Sequence, residues 1–206
     1  MGTVAAPVGF DLDLTLIDSR STILAAWSEL ARETGTRIDL AVIDQRQGAK
    51  LEDEIACWFP AAERESAAAG FRRHYIPLVA QLTTVLPGAH EAIAAVRQAG
   101  AAAVIITAKH PVSVGPSLNA TGLTADEMFM HVHGPEKAVV LRRIGAAVYI
   151  GDTPADMRAA VAGGARPVGV TTGSYDREQL LAAGAAVVFA SLREFPAWYA
   201  AFQESV

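Results

Sequence analysis

The chain has 206 residues, 51% of them apolar, a formal net charge of −5 and a pI near 5.5. That length suits one large domain or a core domain with an insertion, and the acidic balance argues against an electrostatic nucleic-acid binder. Cys57 is the only cysteine, so no internal disulfide can form, and no apolar run is long enough to cross a bilayer.

The N-terminus carries no basic n-region, so no cleaved signal is expected. Met1-Gly2 opens like a myristoylation site, but Ala6 stands where Ser or Thr is required. A soluble protein of the cytoplasm is the resulting expectation. Val8 and Phe10 then begin a buried strand that runs into Asp11-Leu12-Asp13-Leu14-Thr15. A pleated strand points residues two apart to the same side. Two carboxylates held that close repel unless a cation lies between them. Mg²⁺, which takes one or two carboxylates plus substrate phosphate oxygens, removes the conflict.

From Ser19 to about Val85 the pattern is helical, with pieces near Ser21–Glu33, Ala41–Gln47, Leu51–Trp58 and Ala61–Leu82. No central strand is visible there. An all-helical insertion after the first strand is most simply a lid, with Asp18-Ser19 and Leu86-Pro87-Gly88 as its hinges. Asp18-Ser19 also reads as the cap of the first of these helices.

From Leu86 onward helices and short apolar runs alternate. A helix over about Ala89–Gln98 leads to a strand at Ala103–Ile106 and then Thr107; a helix from Pro111 leads to a strand near Met128–Val132. Glu136–Ile144 precedes the strand Ala147–Ile150, and Pro154–Ala162 precedes Pro167–Val170. Such alternation implies a parallel sheet with crossover helices, whose ligands bind beyond the carboxyl ends of the strands. Asp11, Asp13, Thr107 and Asp152 all fall at those ends.

Taken in order, the D-x-D-x-T segment at Asp11, Thr107, Lys137 and Gly151-Asp152-Thr153-Pro154-Ala155-Asp156 resemble the motifs of the haloacid dehalogenase (HAD) superfamily of phosphohydrolases. The helical insertion resembles the cap of its phosphoglycolate phosphatase-like branch. The resemblance implies an α/β fold with a Rossmann-like parallel sheet, residues 1–18 and 86–206, and an inserted all-helical cap, 19–85. It implies a Mg²⁺-dependent phosphatase acting on a small phosphorylated metabolite through an aspartyl-phosphate intermediate, with phosphoglycolate as the nearest guess, no nucleic-acid or membrane partner and a monomeric or homodimeric state.

Carried over residue by residue, the resemblance makes Asp11 the nucleophile and Asp13 the general acid and base. Asp11, Asp152 and Asp156, with the Asp13 backbone carbonyl, become the metal ligands. Thr107 and Lys137 meet the phosphate, and Leu12, Ala108 and Lys109 line it. Thr153 to Asp156 also form a helix start, so Asp156 has a second reading as half of a capping box. Leu14 stands where the family carries glycine, so the backbone must manage there without glycine's freedom.

Asp13 points to phosphoryl transfer, since the dehalogenases of the superfamily lack it. Lys50, the only lysine of the insertion, leaves open the phosphonate-cleaving branch, which needs a cap lysine; the phosphomutase branch shares all four motifs. A receiver-type signalling module would also combine these residue types, but its acceptor lies on a middle strand and it has no helical insertion. Arg46 and Lys50, beside Gly48, are expected to meet the far end of the substrate, with Arg46 suited to a carboxylate. His131 and His133 alternate on a strand and could face one side, but no third nitrogen or sulfur ligand follows to complete a metal site.

Overall fold

The first strand, β1 (Ala5–Phe10), lies in the middle of the sheet because Val8 and Phe10 are fully buried and Gly9 leaves room for the layer above it. A Cβ at Gly9 would fall 2.8 Å from the Tyr149 ring. These features belong to a computed structural model that describes residues 5–205; Met1-Gly2 lies outside the described residues. A short strand, β2 (Ile17–Asp18), follows, then helices α1 (Arg20–Thr34), α2 (Leu40–Gln45), α3 (Leu51–Trp58) and α4 (Arg64–Leu82). The strand β3 (Thr84–Val85) pairs antiparallel with β2, so the two connectors to the helical segment run side by side.

Next come α5 (Ala89–Gln98), β4 (Ala101–Thr107), α6 (Pro111–Thr121), β5 (Glu127–Met130), α7 (Pro135–Ile144), β6 (Val148–Gly151), α8 (Pro154–Gly163) and β7 (Arg166–Val170). The chain closes with α9 (Arg177–Ala182), β8 (Val187–Phe189) and α10 (Phe195–Glu204). The other six strands form one sheet in the order β5-β4-β1-β6-β7-β8, and every strand pairing in it among the described residues is parallel. This is the parallel, helix-flanked sheet the alternation implied.

The expected boundaries hold where the chain carries punctuation. Pro135 and Pro154 occupy the first position of α7 and α8, where their missing N–H costs nothing, and Gly145 and Gly164 end those helices in the left-handed conformation. β5 is shorter than expected. It stops at Met130 because His131 takes a φ of +59°, which no extended strand allows.

Four buried clusters carry the packing among the described residues, and two of them are the largest. One lies under the sheet around Phe10, Ile150, Phe195 and Tyr199, with the Phe195 and Tyr199 rings stacked at 5.2 Å. The other belongs to α1–α4 alone, built on Trp27, Leu30, Ile55, Phe71 and Tyr75. Burying side chains of this size stabilises by about 1.5–3 kcal/mol each, so the helical segment holds itself together. Its return connector is fixed to the sheet domain. Gly88, at φ +92°, approaches so closely that a Cβ would lie 2.2 Å from the Arg193 nitrogen, and Ser191 Oγ donates to the Pro87 carbonyl at 2.9 Å.

Candidate active site

At the end of β1 the Asp11 N–H donates to the Ile150 carbonyl at 2.8 Å, which carries the ladder one residue past the strand. The chain then curls. The Leu12 carbonyl accepts from the N–H groups of Leu16 and Ile17, and Leu14 sits at φ +57°. Leu14 therefore adopts the left-handed conformation that glycine would take, at a cost of roughly 1–2 kcal/mol. Its side chain is buried, and that burial offsets the strain. Asp13 consequently lies beyond the pleat of β1, in an isolated bridge to Ile17 at the mouth of the turn. Both carboxylates still line one cavity, but the curl puts them there, not strand alternation.

Lys137 enters from the first turn of α7. Its ammonium donates to Asp11 Oδ1 at 2.8 Å and to Asp156 Oδ1 at 2.7 Å. Burial alone would depress its pKa, but Asp11 and Asp156 outweigh that and hold it well above the usual lysine range. Lys137 is thus a fixed cation at the base of the cavity.

Asp156 satisfies both readings of its sequence position. Its Oδ2 accepts from the Thr153 N–H and hydroxyl while Thr153 Oγ1 accepts from the Asp156 N–H, a complete capping box. Its Oδ1 accepts from Lys137 and from the Tyr149 hydroxyl at 3.2 Å. With both oxygens engaged, Asp156 is better suited to orienting Lys137 than to ligating a metal directly.

Asp152 is different. Thr15 Oγ1 donates to its Oδ1 at 3.2 Å, and Oδ2 has no hydrogen-bond partner among the described residues. Gly173 passes so close that a Cβ there would lie 1.9 Å from that Oδ2. Asp11, Asp152 and Asp156 bring carboxylate oxygens within 4.8 Å of one another, all buried. Burial, opposed by Lys137 and reinforced by Asp156 and Asp13, pushes the Asp11 pKa up to about 7. Burial, then Asp11 and Asp156, raises Asp152 well above the carboxylate range. Carboxylates crowded until they resist ionisation form a set that a divalent cation suits.

Thr107 ends β4, buried, and its hydroxyl oxygen accepts from the Lys109 N–H at 3.1 Å, leaving its own proton to donate. Ala108 lines the cavity beside it. Leu12, expected to line the phosphate, is fully buried beneath the turn that its carbonyl closes and is not among the residues lining the cavity. Ser19 was expected to cap α1, yet its hydroxyl makes no cap bond and donates instead to Asp13 Oδ1 at 2.6 Å; Asp18 Oδ1 accepts from the Arg20 N–H. Lys109 donates to the same Asp13 oxygen at 2.6 Å and lies 4.7 Å from the Tyr75 ring centroid on α4.

Arg46 and Lys50 line the cavity from the helical side. The Arg46 guanidinium is already engaged, 3.1 Å from Glu54 and 3.4 Å from Cys57 Sγ. A third histidine, invisible to local spacing, joins the expected pair: the His110 and His131 rings are 5.4 Å apart, and those of His131 and His133 4.8 Å.

A buried acidic cluster, a fixed lysine and a strand-end threonine at the carboxyl edge of a parallel sheet define a hydrolase of the kind its motifs resemble. The family model described as haloacid dehalogenase-like hydrolase matches residues 8–160. The chain belongs to that family. It is 30% identical to the protein named probable phosphatase IndB of Dickeya dadantii, over 90% of this chain and 89% of that one. It is 29% identical to a plasmid-encoded phosphoglycolate phosphatase of Cupriavidus necator, over 96% and 95% of the two chains. The solved structure of a hydrolase from Pseudomonas syringae superposes with a TM-score of 0.79 at 24% identity, covering 96% of this chain and 99% of that one, a likeness of fold. No helix among the described residues is long and apolar enough to cross a membrane.

Proposed function

We propose that this hydrolase is a Mg²⁺-dependent phosphoric monoester hydrolase of the cytoplasm, which takes a phosphoryl group from a small phosphorylated metabolite onto Asp11 and passes it to water. The observation that carries this reading is Lys137, held between Asp11 and Asp156 at the base of the cavity. It supplies positive charge where a phosphate dianion would otherwise meet only carboxylates. The relatives' phosphatase names support the same reading.

The donor set fits Mg²⁺: Asp11 and Asp152 would hold it, together with the Asp13 backbone carbonyl that the family resemblance supplies. Bound there, the ion would neutralise substrate and carboxylate charge. Asp11 attacks phosphorus, and Lys137 keeps its attacking carboxylate in place. Thr107 donates its free hydroxyl proton to a phosphate oxygen. Asp13 protonates the departing alkoxide and then takes a proton from the water that releases phosphate. Residues 19–85 act as a cap over the core formed by 1–18 and 86–206, and the paired connectors β2 and β3 are its two hinges.

A panel of phosphomonoesters screened for phosphate release, with Mg²⁺ and then with chelator, tests the proposal. Release that needs the metal is expected. Phosphoglycolate, the compound in one relative's name, belongs on the panel. Failure on every monoester, or undiminished release after exhaustive chelation, would contradict it.

A further inference from the structure

The backbone of Asp13 is held in place and one of its carboxylate oxygens is taken. Asp13 bridges to Ile17, and Thr172 Oγ1 donates to the neighbouring Leu14 carbonyl at 2.5 Å. What stays free is rotation of the carboxylate, and two buried donors stop it. Ser19 Oγ and Lys109 Nζ each lie 2.6 Å from Oδ1. Ser19 is fully buried, and the Lys109 side chain is 7% exposed against 21% for that of Asp13. Oδ2 accepts no hydrogen bond from the described residues, yet it is not one of their buried polar atoms without a partner. It therefore keeps exposure of its own, on a side chain that lines the cavity. The carboxylate has an inner oxygen and an outer one.

Ser19 reaches Oδ1 instead of serving its own helix. It stands at the N-cap of α1, where a serine ordinarily accepts from one of the helix's first N–H groups. At φ −106° and ψ 4° it makes no such bond. Lys109 already brings a charge to Asp13, so a neutral hydroxyl adds direction rather than charge. Two donors converging on one oxygen fix the plane of the carboxylate, which is how a reacting group is held ready. Ser19 also lies between β2 and α1, on the connector read above as a hinge.

We propose that Ser19 is a positioning residue for phosphoryl transfer: with Lys109 it occupies Asp13 Oδ1 and leaves Oδ2 as the oxygen through which protons pass. This deepens the phosphatase reading and rests on it for the role of Asp13. As Asp11 bonds to phosphorus, the bond from phosphorus to the ester oxygen breaks and its electron pair stays on that oxygen. The Oδ2 proton moves to the same oxygen, leaving Asp13 as a carboxylate. In the second step the water oxygen bonds to phosphorus, the bond to Asp11 breaks, and a proton of that water returns to Oδ2.

The leaving group separates this role from a structural one. Para-nitrobenzyl phosphate releases an alkoxide that needs a proton, whereas para-nitrophenyl phosphate, of similar shape, releases a phenolate that departs as the anion. Only steps up to that departure enter kcat/KM, so hydrolysis of the phosphoenzyme does not disturb the comparison. In Ser19→Ala the ratio of benzyl to aryl kcat/KM should fall about tenfold, the scale of one hydrogen bond to a charged group. Asp13→Asn should lower it further. The ratio does not depend on how much of a variant folds. A ratio unchanged in Ser19→Ala but lowered in Asp13→Asn overturns the role of Ser19 and leaves the phosphatase reading standing. A ratio unchanged in both overturns the acid role of Asp13 and the role of Ser19 together. If the unmutated protein releases phosphate from no monoester, the phosphatase reading fails and takes this one with it.

Discussion

Lys109 Nζ lies 2.6 Å from Asp13 Oδ1, so the expected general acid is clamped by a buried cation that also packs on Tyr75 of the helical segment. Burial opposes the charge on Lys109, but Asp13 outweighs it and raises the lysine's pKa. The acid–base residue is thereby tied to the cap through one side chain. Lys109→Met should lower kcat by about tenfold or more, and Asp13→Asn by about 10²–10⁴-fold. The double variant should be no worse than Asp13→Asn alone, because both changes act on one unit. Additive losses in that cycle would mean that Lys109 works independently of Asp13.

Lys137 holds two buried carboxylates at once. Removing one partner from a buried pair typically costs roughly 3–5 kcal/mol. Lys137→Met should therefore lower stability by an amount of this order in metal-free urea denaturation, and Mg²⁺ should restore part of it. A loss under about 1 kcal/mol, typical of exposed pairs, would show that the lysine is not buried as described.

Gly173 leaves the space that Asp152 Oδ2 occupies. Gly173→Ala should force the carboxylate aside, weakening Mg²⁺ binding and lowering turnover while the fold persists. Calorimetric Mg²⁺ titration of the folded variant reads this directly; unchanged affinity would remove Asp152 from the metal site.

His110 and His133 should make stability fall in mild acid. Burial, then Arg72 and His131, lowers the pKa of His110, with Glu52 opposing. Burial, then His131 and Lys50, lowers that of His133, with Glu136 and Glu52 opposing. Below the ordinary value of 6.5 the unfolded chain takes up protons that the folded one resists, so stability is lost as pH falls from there. Melting temperatures at pH 7.5 and 5.5 should therefore differ less in the His110→Gln/His133→Gln variant than in the natural chain. An equal difference would place the sensitivity elsewhere.

Much of the architecture was legible because this chain marks its helix ends. Leu51–Trp58 and Ala89–Gln98 match the expected bounds residue for residue. The two-residue strands β2 and β3 were not legible, since a pair that short has no period to read. The region after Val170, where α9, β8 and α10 complete the fold, carried no expectation of its own. At the site, Asp11, Asp13, Asp152 and Asp156 were visible as local motifs. Lys109 was expected to contact substrate or the cap, and it does pack on Tyr75; its clamp on Asp13 was not legible, because it joins positions 96 apart in the chain. Tyr75 reached the site by the same kind of long-range packing, whereas Ser19 meets Asp13 only six residues away, through the curl after β1. Leu14 was visible as a departure from the family's glycine, but the backbone does not do without glycine's conformation there: Leu14 adopts it, at φ +57°.

The proposed mechanism rests on Asp11 as the group that accepts phosphate. The most direct measurement is tandem mass spectrometry of the phosphoenzyme, trapped by rapid acid quench during turnover of a phosphomonoester with Mg²⁺. A mass increase on Asp11 is expected, absent from the Asp11→Asn protein. A label on Asp13, a serine or a histidine, or full turnover by Asp11→Asn, would contradict it.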